Sequence, residues 1–192
     1  ISNYSSGKQG YEIAKQLVNR GAKVILISGP TNIQSPQNVK LILVKTADEM
    51  LAQTNKYNKK IDVALFCAAI ADFKVKKMSN KKIKKDTLTT LKLIKNIDIL
   101  KKISTQKTNR PKFIVGFSAE TGGKILAKKK LEAKNCDMII FNKISKKNKV
   151  FGLDENKISI LTKNKIVNYS KFSKLKCANL IVDSIYNEIK NK

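Results

Sequence analysis

The strands of this chain carry apolar residues on both faces, and that limits the fold more than any other feature of the sequence. "AKVILISGP", "VKLILVKT", "IDVALFCAAIAD", "PKFIVGFSAET" and "CDMIIFNKIS" are short apolar runs with little polar alternation. Such strands must be covered above and below, as in parallel sheets whose crossover helices occupy both faces. Helical segments fall between the runs. Gly10, Ile13, Ala14, Leu17 and Val18 recur at i, i+3, i+4, i+7 and i+8, which predicts an amphipathic helix from Lys8 to Arg20 that stops at Gly21. "TADEMLAQTNKY" opens on Thr46 with Glu49 three residues later, a capping box. "GGKILAKKKLEAKN" is also helical. Beyond Ser145 the pattern weakens, with "NKISILTKNKIVNYS" predicted to turn near Lys163 and Asn164 and "CANLIVDSIYNEIK" to close the chain as a helix. The expected class is α/β: a mostly parallel sheet with helices on both faces, plus a C-terminal β-hairpin extension.

In open sheets of this kind, ligands bind beyond the carboxyl ends of the strands. Three such ends are polar or small: Ala68–Asp72, Ser118–Thr121, and Asn142 with Lys143. The 192 residues fit one domain. It opens on a Ser/Gly turn leading into a helix, a segment that ordinarily follows a first strand. The expectation is one domain over residues 1–192 that lacks its first N-terminal strand.

Composition removes several chemistries. With no histidine, and with Cys67, Cys136 and Cys177 widely spaced, neither a zinc site nor a histidine-based triad is expected. No apolar run approaches the roughly 20 residues of a membrane helix, and no signal peptide is visible, so a reduced, cytoplasmic setting and no membrane partner are expected. A net charge of +26 raises nucleic-acid binding. Yet Arg20 and Arg110 are the only arginines, and arginine is the residue suited to bidentate phosphate and base contacts. The abundance of Lys, Asn and Ile together points to A/T-rich codons, so no specific nucleic-acid partner is expected.

Four stretches are candidates for chemistry, each with a plain structural alternative. "ISNYSSGKQG" is not a P-loop, because Ser2 stands where the first glycine belongs and Gln9 follows Lys8. Ser5, Ser6 and Gly7 still precede a helix start, which can hold an anion or be an ordinary cap. Residues 73–86, "FKVKKMSNKKIKKD", place seven lysines after a strand end; they form a solvated loop or a cationic flap. "IKNIDIL" offers Asn96 as a helix cap and Asp98 in the first turn, or simple dipole compensation. Lys130 and Lys134 lie one turn apart, able to grip phosphates or paired by chance. Cys67 reads as an apolar filler. G-x-G-x-x-G does not occur, which argues against the alternative of a dinucleotide-binding oxidoreductase.

Taken in order, "ISNYSSGKQG", "SGP", "TADEM", "CAAIADF", "KIKK", "IKNIDIL", "VGFSAET", "KKLEAKNCDMIIFN" and "FGLDENKISIL" resemble the bacterial phosphopantothenoylcysteine synthetases, or phosphopantothenate–cysteine ligases. The resemblance covers essentially the whole chain. It implies a Rossmann-like fold, a homodimer, and normal fusion to a flavin-dependent decarboxylase half. It also implies Mg²⁺ as cofactor and CTP, 4'-phosphopantothenate and L-cysteine as substrates, in coenzyme A biosynthesis. Asn3 then matches the asparagine that turns over an acyl-cytidylate, and Lys82 the flap lysine of the second half-reaction. Phe66, Cys67, Ala68 and Asp72 match the nucleotide-binding strand end; Ile97, Asp98, Ile99 and Leu100 the bordering helix start. Phe117 matches a residue beside the base, and Lys130 and Lys134 two nucleotide-gripping lysines. The chain departs from the family's usual residues at Ile97, at Ser118 and at Lys143, and the family's first strand would carry a substrate-contacting arginine.

Overall fold

A computed structural model describes residues 5–77, 79, 90–120, 123–143 and 155–191. Its elements run α1 (Lys8–Asn19), β1 (Val24–Ser28), β2 (Val39–Leu43), α2 (Ala47–Tyr57), β3 (Val63–Phe66), β4 (Phe73–Val75) and β5 (Leu93–Lys95). They continue with α3 (Ile99–Ser104), β6 (Phe113–Glu120), α4 (Lys124–Ala133), β7 (Met138–Lys143), β8 (Glu155–Thr162), β9 (Ile166–Ser173) and α5 (Lys174–Lys190).

The larger sheet has the order β3-β6-β7-β8-β9. Its first two pairings are parallel, with Leu65 opposite Val115 and Phe117 opposite Ile140, and its last two are antiparallel. The predicted C-terminal hairpin therefore does more than extend the chain: β8 docks on β7 and continues the sheet. Side chains alternate across it. Phe113, Val115, Met138 and Ile140 pack with Ile181 and Ile185 of α5 and Ile13 of α1. Ile114, Ile139 and Phe141 pack on the opposite face with Ile99 and Ile103 of α3 and Leu131 of α4. Helices thus cover both faces, as the double-sided apolar runs require.

Two features lie outside the sequence expectation. β1 and β2 form a separate parallel pair, with Leu26 opposite Leu41. Among the described residues, β1 and β3 each leave one edge without a strand partner, and Val24–Ile27 and Val63–Phe66 are half-buried. Between these edges opens a cavity of about 2050 Å³ lined by both strands. In addition, β4 and β5 pair antiparallel in a small arm, where the sequence showed only a charge run.

Close packing at one glycine sets the position of α3. A Cβ on Gly116 would stand 2.8 Å from both Ile139 Cδ1 and Leu100 Cδ2. Only glycine lets the first turn of α3 lie directly on β6.

Candidate active site

The cavity runs the length of β1 and β3 and reaches the carboxyl ends of β3, β6 and β7 and the start of α1. Ser5, Ser6 and Gly7 line it, with Gly7 at φ 75° in the left-handed region that glycine adopts without strain. Gly7 has no side chain to cap α1, and the Lys8 N–H donates to Ser6 Oγ at 3.4 Å; this first turn of the twelve-residue helix, with its partial positive charge, borders the cavity. Gly10, one turn further, backs onto Cys67.

Of the nucleotide residues expected from the sequence, Phe66, Cys67, Ala68, Asp72, Ile97, Asp98, Ile99, Leu100, Phe117 and Lys134 all line this one cavity. Lys130 does not. It is half-buried one turn before Lys134 on the same helix, outside the lining. Asn3 and Lys82 fall outside the described residues, as does most of the lysine-rich stretch.

The cap of α3 differs from the expectation. Asp98, not Asn96, caps it: Asp98 Oδ1 accepts from the Lys101 backbone N–H at 2.9 Å, and the helix begins at Ile99. Asn96 instead closes the base of the β4/β5 arm, donating from Nδ2 to the Ala71 carbonyl at 2.7 Å and from its backbone N–H to Asp72 O at 2.8 Å. Both Asn and Asp are good caps, so local sequence could not choose between them. The second oxygen of Asp98 meets Lys134 Nζ at 3.1 Å. Burial pushes the Asp98 carboxyl up, but the Lys101 N–H and the Lys134 ammonium together outweigh it and hold the group below its ordinary value. Ile99 and Leu100 point into the core, at 3% and 7% exposed, so at this border only their backbone can meet a ligand.

The thiol of Cys67 is no nucleophile. Burial pushes it up to about 12, with the Lys174 ammonium pulling weakly the other way. On α2 the capping box forms: Thr46 Oγ1 accepts from the Glu49 N–H at 3.1 Å, and Glu49 Oε2 accepts from the Lys45 N–H at 2.8 Å.

A polar cluster under α1 was not anticipated. Asn156 Nδ2 donates to Gln9 Oε1 at 2.9 Å, and Gln9 Nε2 donates to the Lys174 carbonyl at 3.1 Å. These residues lie 147 and 165 positions apart, and no short-range signal joins them. Both arginines are structural. Arg20 pairs with Asp183 at 2.6 Å, joining α1 to α5. Arg110 donates to the carbonyls of Ser104, Pro111 and Asn135 and to Asp137 Oδ2, all within 3.0 Å. Among the described residues no helix is long and apolar enough to cross a membrane.

A cavity with a helix start on one wall and an Asp–Lys pair on the other can hold a polyanionic ligand. Comparison with known proteins agrees with that geometry. The chain is 43% identical over 187 residues to the "Coenzyme A biosynthesis bifunctional protein CoaBC" of Haemophilus influenzae, covering 96% of this chain and 46% of that protein. The protein of the same name from Borreliella burgdorferi is 39% identical, with 97% and 47% covered. The chain thus spans about half the length of these curated relatives. Among solved structures, the C-terminal domain of a CoaBC superposes with a TM-score of 0.83 at 30% identity, over all of this chain and 87% of that one. A "DNA/Pantothenate Metabolism Flavoprotein" from Streptococcus pneumoniae shares the fold, with a TM-score of 0.76 at 19% identity, covering 98% of this chain and 91% of that one. Residues 1–189 match the family described as the DNA/pantothenate metabolism flavoprotein C-terminal domain, and the chain belongs to that family.

Proposed function

We propose that this chain is a phosphopantothenate–cysteine ligase domain of coenzyme A biosynthesis. It joins 4'-phosphopantothenate to L-cysteine while CTP is cleaved to CMP and pyrophosphate. In the first step a carboxylate oxygen of 4'-phosphopantothenate attacks the α-phosphorus of CTP, and the bond to pyrophosphate breaks. In the second, the cysteine nitrogen attacks the acyl carbon, loses its proton, and expels CMP. Both steps develop negative charge among phosphates, where fixed positive charge and positioning supply most of the catalysis. The start of α1 and Lys134 provide such charge without any histidine.

The observation that carries this reading is membership of this family, and it is supported by the Asp98–Lys134 pair and the α1 turn, which border the same cavity. The alternative of a dinucleotide oxidoreductase has no feature in its favour. Asn3 and Lys82 keep the roles that the resemblance implies, in turnover of the acyl-cytidylate. Among the described residues no group of three or more metal-ligating side chains occurs. Mg²⁺ keeps water and substrate phosphates as ligands and takes one or two carboxylates from the protein. Asp72 lines the cavity and makes no ion pair among the described residues, whereas Asp98 is already engaged. When bound, the ion would neutralise phosphate charge.

Three further parts of the proposal have structural support. The apolar cleft between the unpartnered edges of β1 and β3 suits one more parallel strand leading into α1, the first strand of this domain. Exposed Phe73, Leu91, Leu93 and Ile94 on the arm suit coverage by a second copy in a homodimer. The bifunctional relatives suit a fused flavin-dependent decarboxylase half, working in the cytoplasm.

The test is pyrophosphate release on mixing the protein with 4'-phosphopantothenate and either CTP or ATP, with and without cysteine. A burst with CTP alone and steady turnover on adding cysteine are expected. No release with either nucleotide would refute the ligase reading.

A further inference from the structure

The alternation of side chains along β6 gives its carboxyl end two walls. Phe117 follows Phe113 and Val115 onto the α1/α5 face, while Ser118 follows Ile114 and Gly116 onto the α3/α4 face. β6 lies inside the larger sheet, paired with β3 on one side and β7 on the other, so a strand added between β1 and β3 would not adjoin it. Asp98 and Lys134 meet on the α3/α4 side, which makes it the nucleotide wall.

Ser118 is 4% exposed and lines the cavity, and among the described residues its Oγ has no hydrogen-bond partner. Its neighbours on this face are apolar. Phe141 is paired with it on β7, and Leu100 and Phe66 flank Gly116 two residues earlier. Buried hydroxyls are nearly always paired, because an unpaired one has lost its bonds to water without replacement. The free protein gains nothing from this one. Ser118 is also a position where the chain departs from the family's usual residue, so the hydroxyl is particular to this chain.

A lone hydroxyl among aromatic and aliphatic side chains suits a flat ring with apolar faces and a polar edge. A nucleobase is such a ring. Oγ can donate to a ring nitrogen or carbonyl oxygen, or accept from an amino group on the same edge. A phosphate, by contrast, is drawn to the ammonium of Lys134.

We propose that Ser118 is a base-contacting residue of this chain, its Oγ hydrogen-bonded to the edge of the bound cytosine. This rests on the ligase reading and adds a residue that the resemblance did not assign. The hydroxyl weakens the empty protein and strengthens its hold on the nucleotide, whereas a serine kept for structure would strengthen the empty protein.

The experiment compares the natural-length protein with its Ser118→Ala variant. Thermal unfolding is followed without ligand, binding of CTP and of inorganic tripolyphosphate is measured by calorimetry, and pyrophosphate release is followed with 4'-phosphopantothenate present. The variant should unfold about 2 °C higher or more, because an unpaired buried hydroxyl has been removed. It should bind CTP roughly tenfold more weakly and tripolyphosphate, which has no base, as well as before. A lowered Tm, an unchanged CTP affinity, or an equal loss for tripolyphosphate would each overturn the base contact. If the selective loss of CTP appears in a protein that releases no pyrophosphate, the ligase reading fails and the base contact stands. If both proteins turn over and bind CTP alike, the base contact alone fails.

Discussion

Replacing Gly116 by alanine tests how α3 is held at the nucleotide wall. The added methyl would sit 2.8 Å from Ile139 Cδ1 and 2.8 Å from Leu100 Cδ2, each about an ångström inside ordinary carbon–carbon contact. Both atoms end flexible side chains, but Ile139 is 1% exposed in the closed core, and Leu100, 7% exposed, can yield only toward the cavity it lines. Overpacking of this kind costs about 1–3 kcal/mol. Against it stands a gain of about 0.4–1 kcal/mol, because alanine restricts the unfolded chain more than glycine does. Strain wins, by about 1–2 kcal/mol net, which for a domain of this size lowers Tm by about 2–8 °C. Relief comes by pushing the first turn of α3 off β6, which carries Asp98 away from Lys134. Thermal unfolding followed by circular dichroism, with CTP titrated into the same samples, should therefore show a lower Tm and weaker CTP binding together. An unchanged or raised Tm would refute the packing argument. A lowered Tm with intact CTP affinity would refute the link between α3 and the nucleotide.

Arg110→Lys should destabilise the domain by about 2–3 kcal/mol, because an ammonium cannot reproduce the planar fork that serves three carbonyls and Asp137. A urea midpoint matching the unaltered protein would contradict this. Asp98 has its carboxyl held low in the folded state, so its contribution is present above the ordinary carboxylate range, near pH 4. It is lost as pH falls through the lowered folded value. The stability difference between the unaltered protein and Asp98→Asn should be about 1 kcal/mol or less at pH 6, since the pair is partly exposed, and should vanish on acidification below pH 4. A difference independent of pH would rule out the charge as its source.

The residues that announced themselves in the sequence are those whose signal is local. Thr46 and Glu49 lie within one helical turn, and their capping box formed. The apolar runs around Leu65, Val115 and Ile140 need cover on both faces, and helices supply it. The turn near Lys163 and Asn164 closed a hairpin, with the Thr162 N–H donating to the Lys165 carbonyl at 2.9 Å. β4 and β5 were hidden: each is three residues long, and their pairing spans the lysine-rich stretch between them. Asn96 and Asp98 compete as caps on equal local terms. Asp98 carries a contact to Lys134, 36 positions on, and Asn96 is bound to Ala71 at the base of the arm.

By itself the sequence determined a doubly covered parallel sheet and the strand ends where a ligand would sit, because periodicity and capping act over a few residues. Which wall each strand-end side chain faces was decided by tertiary structure. So were the burial of Asn142 and Asn156, the bond from Asn156 to Gln9, and the exclusion of Lys130 from a cavity that admits Lys134. Those outcomes depend on helices and strands far apart in the chain meeting at fixed distances, and no short window of sequence contains a distance.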